Sequence, residues 1–191
     1  MRALLCFCAL ALLATAGCAT TDGSPAASRP MPTGPATLPP KGFVDFCKRH
    51  PGECIEVAMS EGPAMLDESR WRQLAEVNDR VNRTFRYVAD AGAFGRSDYW
   101  TLPTVEGDCE DLALEKRRRL IALGWPPEAL LIALAKVPRL GGHAVLVVVT
   151  DKGDYVLDSR DGAVRPWDEV PYRWMRRQSP DNPRVWLRLQ A

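Results

Sequence analysis

The chain has 191 residues, with 25 Lys and Arg against 24 Asp and Glu. Loss of Arg2 with an N-terminal signal leaves 24 basic against 24 acidic residues. A neutral mature chain carries no field that would select nucleic acid or an anionic membrane as partner.

Residues 1–17 read as an export signal: Arg2 gives the positive start, Ala3 to Leu13 the apolar stretch, and Ala14-Thr15-Ala16-Gly17 the processing region. The apolar run is too short to span roughly 30 Å of hydrocarbon as a helix. Gly17-Cys18 resembles a bacterial lipoprotein signal in which Cys18 becomes the lipidated first residue, although Thr15 stands where an aliphatic residue is usual. The alternative is ordinary cleavage after Ala16. Residues 18–40, rich in Pro, Ser, Thr and Ala, are expected to form a flexible tether, because they cannot bury enough surface to offset their ordering entropy. Residues 41–191 then suffice for one domain with its own core.

Within that domain Cys47 and Cys54 flank Pro51-Gly52. On an unbroken helix they would lie about 10 Å apart along the axis, beyond disulfide reach, but the Pro-Gly break lets the chain fold back. In an exported protein a bridge is expected, the alternative being two buried thiols. Either way Cys109 is left without a partner. Trp71, Leu74, Val77, Val81, Phe85 and Val88 recur three and four apart, which predicts an amphipathic helix over residues 67–91, ended by Gly92 and Gly95.

Asp108 is expected to cap the next helix, with Asp111 as a capping-box partner and Gly124 closing it. Arg117-Arg118-Arg119 reads as its solvated end. The pattern then turns to strands: Ala129–Val137, His143–Thr150, Tyr155–Ser159 after a turn at 151–154, Val164–Trp167, and Arg184–Leu189 closing the sheet. Helices first and an antiparallel sheet second define the α+β class.

The chemistry centres on Gly107-Asp108-Cys109-Glu110-Asp111. A thiol at a helix start gains acidity from the unpaired N–H groups there. His143 can take its proton and Asp158 can hold the imidazole in the useful tautomer, giving the chain order Cys, His, Asp. A hairpin between the two strands sets their pairing sum near 305, which brings Asp158 within a few positions of His143. The other histidine, His50, reads as a surface residue. Asp108 and Glu110 oppose a thiolate by like charge, which a bound cation would offset; oxygen-rich ligation suits Ca²⁺. Trp100 either fills the core or offers its indole N–H to an oxyanion beside the Cys109 backbone N–H.

Asp98-Tyr99-Trp100-Thr101-Leu102-Pro103, Gly107 to Ala113, His143-Ala144-Val145-Leu146 and Val156-Leu157-Asp158, with Phe46-Cys47, Pro51 to Cys54, Val77-Asn78 and Val81-Asn82 upstream, resemble the bacterial transglutaminase-like cysteine proteinase family. The resemblance covers nearly all of residues 43–168. It implies a papain-like, transglutaminase-type fold with Cys109 as nucleophile, His143 as base and Asp158 as orienting acid. Some members are periplasmic Ca²⁺-dependent proteases that release biofilm adhesins, and their calcium-binding acids map onto Asp108 and Glu110. The loop before His143 and the Ser159-Arg160 that follows Asp158 depart from that branch.

The expected function is an exported cysteine peptidase working through a thioester acyl-enzyme. A transamidase with the same triad, or a non-catalytic envelope binding module, are the alternatives. The expected partners are a protein substrate in the cell envelope and a membrane-bound regulator. The membrane is met only through the lipid anchor, with the outer membrane favoured, and no cofactor is required for the chemistry itself.

Overall fold

The computed structural model describes residues 25–56, 62–89 and 98–190. The signal, Cys18, and Gly92 and Gly95 lie outside the described residues. Among the described residues three α-helices pack on a seven-stranded antiparallel sheet, as the α+β reading expected. They are α1 (Lys41–Arg49), α2 (Glu68–Thr84) and α3 (Cys109–Ala122). The sheet strands are β1 (Thr33–Thr37), β4 (Leu130–Val137), β5 (Gly141–Thr150), β6 (Gly153–Asp158), β7 (Asp161–Pro166), β8 (Arg173–Gln178) and β9 (Trp186–Leu189), in the order β1-β9-β8-β4-β5-β6-β7. A small parallel pair, β2 (Arg86–Tyr87) and β3 (Glu106–Gly107), leads into α3.

Strand alternation divides the core in two. Leu146, Val148, Tyr155 and Leu157 join Leu130 and Ile132 beneath the helices, meeting Phe43, Phe46, Leu74, Val81 and Leu120. Val145, Val147 and Val156 point the other way, against Met31, Trp167 and Trp174. The central strands are therefore apolar at nearly every position, which is why they were the plainest in the sequence. α3 is also enclosed, buried continuously from Cys109 to Arg117.

Several expectations are corrected. The segment expected to be a tether is, from residue 25, part of the fold. β1 pairs with β9, and Met31 is 2% exposed with its N–H on Asp154 Oδ2 at 3.0 Å. Ser28 Oγ donates to the Asp154 carbonyl, the Tyr155 hydroxyl to the Ala26 carbonyl and Trp167 Nε1 to the Arg29 carbonyl. Gly153 accepts this strap because a Cβ there would fall 2.5 Å from Arg29 N. β1 thus closes one side of the sheet, whereas β9 lies inside it.

α2 stops at Thr84 and the chain turns extended at Phe85, short of the expected 91. Arg117 is not a solvated residue: it is buried and donates from Nε to the Leu130 carbonyl at 3.0 Å, while Arg118 and Arg119 bond Glu115. The Pro-Gly break does fold the chain back, through a 3₁₀ turn over Pro51–Cys54, and Cys47 and Cys54 form a disulfide with Cα atoms 5.7 Å apart. No helix among the described residues is long and apolar enough to cross a membrane.

Candidate active site

Cys109 is the first residue of α3 and the free cysteine among the described residues, 8% exposed. Two neighbours seat the helix start. A Cβ on Gly107 would come 2.8 Å from Asp111 Cβ, so the approach to the cysteine needs glycine. Asp111 Oδ1 accepts the Thr101 N–H at 2.7 Å, tying the preceding loop to α3. Asp111 therefore anchors that loop in place of closing a capping box, and Asp108 occupies the N-cap position without a side-chain cap bond.

The β5–β6 ladder pairs residues whose numbers sum to 303, not 305, because the turn is a tight Asp151-Lys152. In that register Asp158 lies on the same face as His143 and diagonally from it, past the last pair Leu146–Leu157. His143 Nε2 meets Asp158 Oδ1 at 2.7 Å, with both residues buried. The next amide along β5, Ala144 N–H, points at Cys109 Sγ at 3.4 Å. The structure thus places the sulfur against the strand that carries the imidazole.

Asp158 is held from every side. Burial alone would raise its pKa, but His143, the Tyr172 hydroxyl on Oδ2 at 2.6 Å and the Arg160 N–H on Oδ1 at 2.9 Å bring it below the usual carboxylate value. Asn82 Nδ2 binds its carbonyl at 2.8 Å. The Tyr172 ring stands edge-on to His143 with centroids 5.6 Å apart. Burial, then the bond to Asp158, keeps its phenol protonated well past the ordinary range. A cleft of about 480 Å³ opens beside Asp158 and Tyr172, walled by Val137, Pro138, Arg160 and Val170.

The thiol environment reverses the simple helix-start argument. Burial, the Glu110 charge and a hydrogen bond from Sγ to Glu110 Oε2 at 3.0 Å push the Cys109 thiol well up, outweighing the Ala144 amide that favours the thiolate. Asp108, Cys109 and Glu110 place one ligand atom each within 4.8 Å of one another. The two carboxylates are hard oxygen donors that fit Ca²⁺, whereas a thiol does not suit that ion. The Tyr87 hydroxyl also reaches Cys109, and burial followed by the charges of this cluster raises its pKa.

Trp100 faces away from this chemistry. Its indole N–H donates to Asp98 Oδ1 at 2.7 Å and its ring packs against Phe43 and Trp186, so it is a core residue and its N–H is not available to an oxyanion. Tyr172, Tyr87 and the buried Lys116 were missed in the sequence. Asn78 and Asn82 left a trace as polar residues beside the apolar positions Val77 and Val81 of α2.

A helix-borne thiol against an antiparallel sheet with a histidine–aspartate pair is the setting of a thiol peptidase. The chain belongs to the bacterial transglutaminase-like cysteine proteinase family, whose model matches residues 33–191, and it is a cysteine peptidase. It is similar to solved structures of LapG from Legionella pneumophila. The calcium-bound form shares 29% identity over 61% of this chain and 67% of that one, with a TM-score of 0.53. A second LapG structure gives 30% identity over 61% and 67%, with a TM-score of 0.52. The EGTA-treated form gives 30% over 61% and 66%, also at 0.52. No curated protein matches the chain.

Proposed function

We propose that this is an exported cysteine endopeptidase that cleaves a protein of the cell envelope, with Cys109 as nucleophile, His143 as general base and Asp158 as the acid that orients it. The observation that carries the reading is the buried His143–Asp158 hydrogen bond on the strand whose next amide meets Cys109 Sγ. Because Nε2 is engaged by Asp158, Nδ1 is the nitrogen left to take the thiol proton. The sulfur attacks the scissile carbonyl, the backbone N–H of Cys109 at the helix start stabilises the oxyanion, and the imidazolium protonates the leaving amine. Water then attacks the thioester, delivering its proton to His143 and returning the thiolate.

Asp108 and Glu110 are the residues that would hold Ca²⁺, and the resemblance to calcium-bound LapG supports this. When bound, the ion supplies positive charge that offsets the two carboxylates beside the thiol. Cys18 serves as the lipid attachment site that keeps the domain in the periplasm, on the outer membrane, and the substrate is a surface protein of the adhesin kind.

The test is covalent labelling by a thiol-reactive peptide electrophile. Cys109→Ala abolishes it, His143→Ala suppresses it at neutral pH and less so at high pH, and Asp158→Asn slows it while folding normally by circular dichroism. Wild-type labelling by His143→Ala at pH 7 would make Cys109 an inert structural thiol. Comparison of envelope protein termini between the active protein and Cys109→Ser identifies the substrate.

A further inference from the structure

Asp158 closes β6 one position beyond the last pair of the β5–β6 ladder, Leu146–Leu157, and its other neighbour, β7, is the edge strand of the sheet. The β6–β7 register shifts between Val156 and Asp158, so that Asp158 faces Asp161 across the two-residue turn Ser159-Arg160. The hairpin that carries the triad acid is thus gripped weakly from within the sheet. From the helix layer it is met by α2. Asn82 Nδ2 donates to the Asp158 carbonyl at 2.8 Å and to the Asp161 carbonyl at 3.3 Å. One helical turn earlier, Asn78 Nδ2 donates to the carbonyls of Asp161 at 2.8 Å and Gly162 at 3.0 Å. Neither residue is favoured by the helix itself. Asparagine is a mediocre helix former, and Asn78 is fully buried beside Leu74, Val77 and Val81, where an apolar side chain would stabilise the core more.

We propose that Asn82 is a positioning residue: by holding the Asp158 carbonyl from α2 it fixes where the Asp158 carboxylate meets His143 Nε2, while Asn78 secures the hairpin behind it. The carboxylate swings from its own backbone, and His143 stands on a strand whose ladder has already ended, so their 2.7 Å bond depends on the Asp158 main chain keeping its place. The Arg160 N–H on Oδ1 is internal to the turn and moves with it. The Tyr172 hydroxyl steadies the far end of the side chain at Oδ2, and Asn82 ties the main chain to an element outside the hairpin. This role rests on the triad reading, but the test reads the imidazole tautomer and not proteolysis, so either reading can fail alone.

With Asp158 accepting from Nε2, the neutral His143 imidazole is held as the Nε2–H tautomer, which the ¹⁵N shifts of its two ring nitrogens report. The chain has two histidines, and His50, packed on Phe46, is the internal reference. Asn82→Ala removes the donor and suits the helix better. The expected result is a fall of the Nε2–H to Nδ1–H ratio by about 3–10-fold, part of the roughly tenfold or greater bias that a hydrogen bond to a carboxylate supplies. His50 stays unmoved. Asn78→Ala frees the Asp161 and Gly162 carbonyls but leaves Asp158 bonded to Asn82, and its ratio should stay close to wild type. A wild-type ratio in Asn82→Ala overturns the proposal, and so does an equal fall in both variants, which would mark a general loosening of the hairpin. If Asn82→Ala does not fold, Asn82→Leu, which keeps the side-chain volume without the donor, is read in the same way. If neither folds, the bond serves the fold and the positioning role falls.

Discussion

Tyr172→Phe isolates one hydroxyl in the site. The ring's edge-on packing against His143 survives the change, and only the 2.6 Å bond to Asp158 Oδ2 is lost. Oδ1 keeps both His143 and the Arg160 N–H, so the carboxylate remains attached to the imidazole but loses the donor that fixes its rotation. Leaving a buried carboxylate oxygen without that donor costs about 1–3 kcal/mol. If about 1–2 kcal/mol of this is felt in the transition state, inactivation by a peptide electrophile slows roughly 5–30-fold. The same loss in the ground state lowers Tm by about 2–8 °C for a domain of this size. Second-order inactivation rates at pH 7 and thermal melts of the two proteins measure both effects. A rate within about twofold of wild type and an unchanged Tm would show that Tyr172 merely lines the cleft.

Two further outcomes follow from the same site and its chain terminus. Glu110→Gln removes the charge that, after burial, does most to raise the Cys109 thiol, so in EGTA its iodoacetamide reaction should reach half-maximal rate at lower pH than wild type; an upward or absent shift refutes the assignment of Glu110 as the thiol's suppressor. Cys18→Ser should move the domain from the membrane to the soluble periplasmic fraction, and a wild-type protein already soluble with Gly17 as its first residue rules out the lipid.

What the sequence disclosed depended on whether a contact was local. β4 and β5 are buried on both faces, so an unbroken apolar run announces them, and the cysteine at a helix start is a matter of neighbours in sequence. β8, Arg173–Gln178, is written RWMRRQ, and its three arginines, of which Arg173 is exposed and Arg177 buried against Asp154, hide a strand held mainly by backbone pairing to β4 and β9. β1 is an edge strand with a proline in it, TGPAT, and reads as linker for the same reason. Phe85 and Val88 continue the spacing of α2 past the point where Arg86 and Tyr87 enter a strand, so periodicity alone overruns the helix end. Tyr172 reaches Asp158 across 14 residues, a relation that leaves no period to read. Of the two readings of Trp100, core filling is the one the fold supports, and only the fold shows Asp98 taking its N–H.

The strap over Asp154 and Trp167 bears on how far the enzyme could work from the proposed lipid at Cys18. It leaves the domain at the Asp151-Lys152 hairpin, while His143 lies seven residues down β5 from Thr150, about 23 Å away at the usual strand rise. Were Cys18 lipidated as proposed, in the periplasmic leaflet of the outer membrane, the residues up to 25 would extend at most about 25 Å. The hairpin end would then be leashed to the lipid surface, and the Cys109–His143 end would stand away from it at a working height of roughly 20–50 Å. A protein stem rising from the same membrane would pass through that shell, whereas a bond lying within the headgroups would be below its reach.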